Sequence, residues 1–464
     1  MIGGIPIYPG GYSCVFKPQL KCKTKKNTKR NRNSVISNSR NRSYSQNKGI
    51  SKLLFKKYAE IEMQNIEKFH DALRKIPKSH KYFLFTKSKS CSPAKISLRD
   101  LKGFNEMCTN FTSHDVNESN INSPSTIHDL KLINMPDAGI SMNEWLFPTT
   151  NVDADKNTVK SLNITRIKIF NNIISKLILN AIVPMNRQGV IHNDMKEDNI
   201  LIKDIKETSV PFSRKHQRHR SHPHPHPTII DWGISGISTH DEPIPEIIMN
   251  RYISISNPFS SVLFTTEFSK HYSDFLKKNE INDIQTLRNN SAFRQKLHLF
   301  STSHYLKHKE YGHYSHIQTF FKRVFDLFSN DFSLLLPSHL SQNLLQSPTD
   351  LYNMLVSNYI SDILLHFTEF DERDQMLRFQ YTLYFTKVYI FNCDIWGIMF
   401  CYSVFFSFQD INKYRKYVDI HSSTYLSFLR NILSIYMNQI MVHGHEKINI
   451  TKLIKSITTI NHNL

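Results

Sequence analysis

An α+β class is what the sequence predicts, on three observations. Short β-branched or apolar runs, Ile200 to Ile202 and Thr228 to Ile230, stop at polar loops and read as strands. Apolar residues at helical spacing recur in the later part of the chain, as in Phe320 to Leu336. The stretch Val388 to Phe408 carries a single charge and reads as a helix buried on every side.

The chemistry sits in two of these strand ends. Val190 to Ile202 reads VIHNDMKEDNILI, and TIIDWG follows at Thr228 to Gly233. In-line phosphoryl transfer needs a carboxylate beside the attacking hydroxyl and oxygen donors that hold magnesium against nucleotide phosphates, because positioning and charge neutralisation supply most of the catalysis. Asp194, Asn199 and Asp231 are the right residue types. Magnesium takes hard oxygen ligands and keeps part of its water shell, so the Asn199 amide oxygen and the Asp231 carboxylate are sufficient protein donors. Lys196, two residues beyond Asp194 on an extended loop, points to the same side and can neutralise charge on the transferred group.

His192, Asp194, Lys196 and Asn199 in this order resemble the H-R-D-x-K-x-x-N catalytic loop of eukaryotic-type protein kinases, and Asp231-Trp232-Gly233 resembles their D-F-G motif. The resemblance implies a two-lobed fold with a small antiparallel-sheet lobe over residues 1–140 and a mainly helical lobe over 141–464, using ATP and Mg²⁺. It also gives the earlier elements their roles. Tyr8 to Phe16, YPGGYSCVF, is similar to the glycine-rich loop over the ATP phosphates, with Gly10 as its second glycine, Tyr12 at the tip and Val15 following; Tyr8 and Ser13 replace the first and third glycines. Gly49 to Phe55 resembles the third strand, whose Lys52 contacts the α- and β-phosphates and pairs with a helix glutamate. Glu60 and Glu62 compete for that pairing. Glu62 is expected, since Ile66 follows it by one turn where the fold packs an apolar residue toward the D-F-G aromatic, whereas Glu60 is followed by Gln64. Leu130 to Leu146 resembles a fifth strand running into a hinge, with Met135 to Gly139 meeting the adenine edge.

Farther on, Asn392 to Phe400, NCDIWGIMF, resembles the D-x-W-x-x-G start of the central large-lobe helix, with Met399 in place of the glycine and Asp394 bracing the catalytic loop. The same apolar stretch is long enough to cross a bilayer. A carboxylate inside such a span is costly in lipid, so a buried core helix is expected and no transmembrane segment. The first twenty residues lack a charged region followed by an apolar core, so no signal peptide is expected either. Asp231 and Asp394 are separated by more chain than an activation segment needs, which points to extra helices over about 265–385. Asn250 to Phe264, NRYISISNPFSSVLF, and the opening Gly10 to Cys22 are similar to the divergent serine/threonine kinases of nucleocytoplasmic large DNA viruses. That likeness runs from Gly10 to about Ile435 and implies a viral protein acting in host cytoplasm or carried in the virion.

The net charge of +20 is unevenly spread. Lys21 to Lys57 holds thirteen Lys or Arg and no acidic residue, and residues 21–48 are too polar to form a core, so a disordered insertion with polyanion partners is expected. Tyr44 is the one aromatic of that insertion, which argues against specific nucleic-acid reading. Residues 86–126, rich in Ser, Asn and Thr, read as a second flexible excursion. Lys206 to Pro227 carries histidines at 216, 219, 222, 224 and 226; a solvated loop is expected over a metal site because such tracts fix no geometry. Six scattered cysteines without metal spacing read as reduced thiols in a cytosolic setting. Cys14 and Cys22 alone are too few ligands for a metal.

Three function classes fit: a serine/threonine protein kinase acting on a protein substrate, which Lys196 favours; a small-molecule or lipid kinase of the same fold; and a nucleotide-binding scaffold. Asn193 stands where many protein kinases carry the arginine that grips a phosphorylated activation loop, so activity without such phosphorylation is expected.

Overall fold

The computed structural model describes residues 4–9, 13–23, 49–84, 88–147, 156–205, 224–251, 253–281, 283–309, 314–338, 340, 345–373, 375–406 and 423–464. Gly10, most of the basic insertion, and most of the histidine-rich tract therefore lie outside the described residues. The chain is α+β and forms two units. The first comprises residues 1–74, 80–139 and 228–233, and the second comprises residues 75–79, 140–227 and 234–464. The main division falls at Gly139/Ile140, beside the expected hinge. Thr228 to Gly233, expected with the helical part, instead belongs with the sheet: Ile229 bridges Phe83, and the Trp232 ring lies 5.8 Å from Phe69 and 5.7 Å from Phe83.

The first unit is built on a five-stranded antiparallel sheet. Its strands are β1 (Ile5–Pro9), β2 (Ser13–Lys17), β3 (Gly49–Phe55), β4 (Lys89–Cys91) and β5 (Leu130–Pro136), in the order β1-β2-β3-β5-β4. Alternation along β3 sends successive side chains to opposite faces. Leu53 joins Cys14, Phe16 and Leu132 on one face, and Leu54 joins Ala59 and Ile133 on the other. The second face is covered by α1 (Lys56–Leu73), which buries Ala59, Ile66, Phe69, Ala72 and Leu73. Lys52 shares its face with Leu54 and so points toward α1.

The first face is covered by the segment expected to be a flexible excursion. Ile96, Leu101, Phe104, Cys108, Phe111, Val116 and Ile121 are buried in one cluster with Phe16 and Leu53, and Phe111 stacks on Phe55 at 4.9 Å. Its polar residues serve the backbone: Asn122 donates to the Ile96 carbonyl and accepts from the Ile96 N–H, both at 2.8 Å. The expectation of reduced thiols is overturned as well. Disulfides join Cys14 to Cys108 and Cys22 to Cys91, and only Cys393 and Cys401 are free, both buried. Paired cysteines are the rule in oxidising compartments and rare in reducing ones.

The second unit is mostly helical. Strand β6 (Ile140–Ser141) pairs with β8 (Ile200–Ile205), and β7 (Val190–Ile191) pairs with β10 (Gly236–Ile237); β9 (His224–Ile229) precedes the Asp231 turn. Helix α2 (Lys156–Leu177) runs through a π turn into α3 (Val183–Arg187). The region beyond β10 supplies α4 (Thr266–Lys278), α5 (Ser291–Leu306), α6 (Tyr314–Phe328) and α7 (Pro348–Phe367), then the hairpin β11–β12 (Thr368–Asp371 and Met376–Phe379). Phe259 meets Tyr305, Tyr352, Tyr359 and Trp396 at 5.0–6.0 Å, all close to edge-on, the favoured arrangement for aromatic pairs. The central helix α8 (Ile390–Phe400) buries every residue except Phe391. Helices α9 (Ser423–Ile435) and α10 (Ile450–Asn463) close the chain.

Two helical stretches, Ile164–Arg187 and Tyr381–Phe406, are long and apolar enough to cross a bilayer. The second is 83% buried over its apolar window, the way a core helix meets that test.

Candidate active-site residues

In the first unit the expected residues converge on Lys52. Ala59, Glu62, Ile66 and Phe69 form one stripe of α1, so Glu62 sits among buried neighbours facing the sheet. Its carboxylate, not that of Glu60, holds Lys52 Nζ at 2.8 and 3.0 Å. Asp231 Oδ1 lies 3.7 Å from the same ammonium. Burial pushes the Lys52 pKa down, but Glu62 and then Asp231 outweigh it and leave the net shift upward, so the side chain stays charged. Asp231 has a left-handed backbone (φ 65°) and its carboxylate is half exposed, turned from the strand while Trp232 is buried against Phe69 and Phe83. Of the two rings that meet Trp232, Phe69 lies on α1 one turn beyond Ile66.

Val15 stands opposite Lys52 in the β2–β3 register, and Met135 opposite Ile50 in β3–β5. The Met135 carbonyl accepts from Gln19 Nε2 at 3.1 Å, a contact the sequence does not announce. Gly49 permits it: a Cβ there would lie 2.3 Å from Gln19 Nε2 and 2.5 Å from the Met135 oxygen. Asp137 caps the Gly139 N–H at 3.0 Å and pairs with Lys17 at 2.8 Å, fixing the turn that ends the unit.

In the second unit the loop between β7 and β8 presents Asp194, Lys196 and Asn199. Asn193 adopts a left-handed φ of 63°, turning the chain after the β7–β10 ladder. Buried Asp394 on α8 accepts from the backbone N–H of His192 (2.9 Å) and of Asn193 (2.8 Å), and from Asn186 Nδ2 (2.8 Å). Ser235 donates to the His192 carbonyl at 3.0 Å. Asp194 Oδ2 receives both Lys196 Nζ and Asn199 Nδ2 at 2.8 Å, and Asn199 Nδ2 also reaches the Asp194 carbonyl at 2.8 Å. The amide nitrogen of Asn199 is therefore engaged, and the orientation presents its oxygen as the donor atom for a cation. An amide oxygen of this kind is a hard donor of the sort magnesium accepts.

Sequence reasoning missed Gly397. A Cβ at this position would fall 2.7 Å from the Met195 carbonyl and 2.9 Å from that of Ser256, so a glycine is required for α8 to lie directly against the loop. Also unforeseen is a cleft of about 590 Å³ beside Asp194 and Lys196, with Ser254 and Ser256 on one side and His316 and Arg323 of α6 among its other walls. Glu197 lines it too, and burial pushes its carboxyl up to about 7, Asp198 adding to the shift and Lys196 opposing it. No protein-family model matches this sequence, and no curated protein does.

Proposed function

We propose that the chain is a serine/threonine protein kinase with the two-lobed kinase fold, transferring the γ-phosphoryl group of ATP to hydroxyls of a protein substrate with Mg²⁺. The observation that carries the reading is the charge arrangement at Lys52: one ammonium held by the helix carboxylate Glu62 and standing 3.7 Å from the Asp231 carboxylate. A carboxylate placed beside a fixed cation suits a metal donor, and a lysine kept charged under burial suits phosphate.

In this reading Lys52, fixed by Glu62, binds nucleotide phosphates, and Asn199 and Asp231 offer oxygens to magnesium, which when bound neutralises phosphate charge. Asp194 orients the substrate hydroxyl and takes its proton. Its Oδ2 is held by Lys196 and Asn199, so Oδ1 is the atom presented to the hydroxyl. Lys196, tied to the same carboxylate, screens charge on the group in transfer. The motif likeness to large DNA virus kinases supports a viral protein acting in infected cells or in the particle.

The test is transfer of γ-labelled phosphate from Mg-ATP to basic and acidic test proteins by the native chain, Asp194→Asn and Asp231→Asn. Phosphoprotein is expected from the native chain. Asp194→Asn should lose about 10²–10⁴-fold in rate while keeping nucleotide affinity, and Asp231→Asn should lose metal-dependent affinity. Label on a small acceptor alone, or nucleotide binding without transfer, overturns the assignment.

A further inference from the structure

Away from these residues, the second unit brings together three side chains with the donors of a transition-metal site. Asp362 and His366 lie one turn apart near the end of α7, and His445 faces them from the turn before α10; one donor atom from each falls within 4.8 Å of the others. We propose that Asp362, His366 and His445 bind one zinc ion that fastens the end of α7 to the 443–446 turn. Two imidazoles and one carboxylate match zinc, whereas magnesium and calcium prefer all-oxygen sets.

The tautomer of His366 suits ligation. Its Nδ1 lies 2.8 Å from the Asp362 carbonyl, which can only accept, so the proton is on Nδ1 and the Nε2 lone pair is presented outward. His445 stands between carboxylates, with Nδ1 on Asp362 Oδ2 and Nε2 3.3 Å from Glu446 Oε1. Glu446 is thus placed to serve as a fourth ligand. The two imidazoles are stacked face to face, centroids 3.6 Å apart and planes within 7°. Direct face-to-face overlap is the least favoured aromatic geometry, so the stack needs a further restraint. A shared cation explains why they are held together. Zinc bonds of about 2.0–2.2 Å place donor atoms up to about 4 Å apart, so rotation of the side chains closes the set.

The scaffold around the cluster is fixed independently of any ion. Gly444 lies against α7 so closely that a Cβ would be 2.6 Å from the Tyr359 carbonyl and 2.8 Å from Ile363 Cγ1. From the other side, buried Asn392 of α8 donates to the Glu446 carbonyl at 2.7 Å and accepts from the Ile448 N–H at 2.9 Å. The turn carrying His445 is clamped between two helices, which is the preorganisation a metal site needs.

Cobalt titration of the chelator-stripped full-length chain tests this. One equivalent should give the intense visible absorption of a tetrahedral site, and zinc should displace it and raise Tm. His366 is half exposed, so His366→Gln should fold with an unchanged metal-free Tm; it should weaken cobalt binding at least about tenfold and abolish the zinc-induced rise. His219→Asn combined with His222→Asn, in the histidine-rich tract, should leave both signals intact. Retention of the absorption and the Tm rise in His366→Gln, or their loss in the tract variant instead, overturns the proposal.

Discussion

Two regions solve the same problem in opposite ways. In the first unit the segment Ile96 to Ile121 covers one face of the sheet with about one apolar residue per turn of chain; one disulfide ties it to β2 and a second ties the stretch after β2 to β4. In the second unit aromatic rings clustered on Phe259 join α5, α7 and α8, and α4 to α7 contain no cysteine. The difference teaches that a thin apolar layer holds when the unfolded chain is restrained, whereas a dense one needs no covalent restraint.

Reducing the disulfides should separate the two regions most sharply. The Cys22–Cys91 loop lies inside the Cys14–Cys108 loop, so the second bond adds less than the first, and together they should contribute about 5 kcal/mol. Hydrogen exchange with and without reductant is the measurement: protection should fall over residues 96–121 and hold over 259–305. Equal loss in both would remove the contrast. Phe259→Ala should then do the converse, costing about 3–5 kcal/mol by opening a cavity among four rings, with exchange rising in α5 and α7 first.

Acid should act on the aromatic region more gently. His304 is buried on α5, facing His271, His308 and the Val262 carbonyl, and its pKa is lowered to about 3 by burial first, with the His308 charge adding to it. It is neutral when folded and takes a proton when unfolded at its ordinary 6.5. The sign follows: the stability is fully present above pH 6.5 and falls by about 1.4 kcal/mol per unit as pH drops toward 3. Chemical denaturation at pH 7.0, 6.0 and 5.0 should show this slope, and His304→Gln should flatten it.

Much of the candidate site was legible because its signals are local. β3 was expected over Gly49 to Phe55 and has those bounds, and Glu62 was separable from Glu60 once the kinase resemblance asked for an apolar residue one turn beyond the glutamate. The braces of Asp394 followed from one motif. The segment over 86–126 was misread because its Asn and Ser residues look solvated in sequence, yet Asn122 and its neighbours spend their hydrogen bonds on buried backbone. Cysteine pairing depends on which segment covers the sheet, so spacing could not show it. Gln19 with Met135, and Gly397 against Met195, are encounters between residues far apart in the chain, invisible to any local pattern.

Asn193 is buried, with its amide near the Ile234 carbonyl and its oxygen near Cys393 Sγ, and Asp394 holds the two N–H groups at the bend. The loop is therefore held by interior groups at the bend, with an asparagine where the resembling family often carries an arginine. A bend fixed in this way takes its shape from amide and carboxylate contacts inside the helical unit, so its geometry is inherited from the core around it.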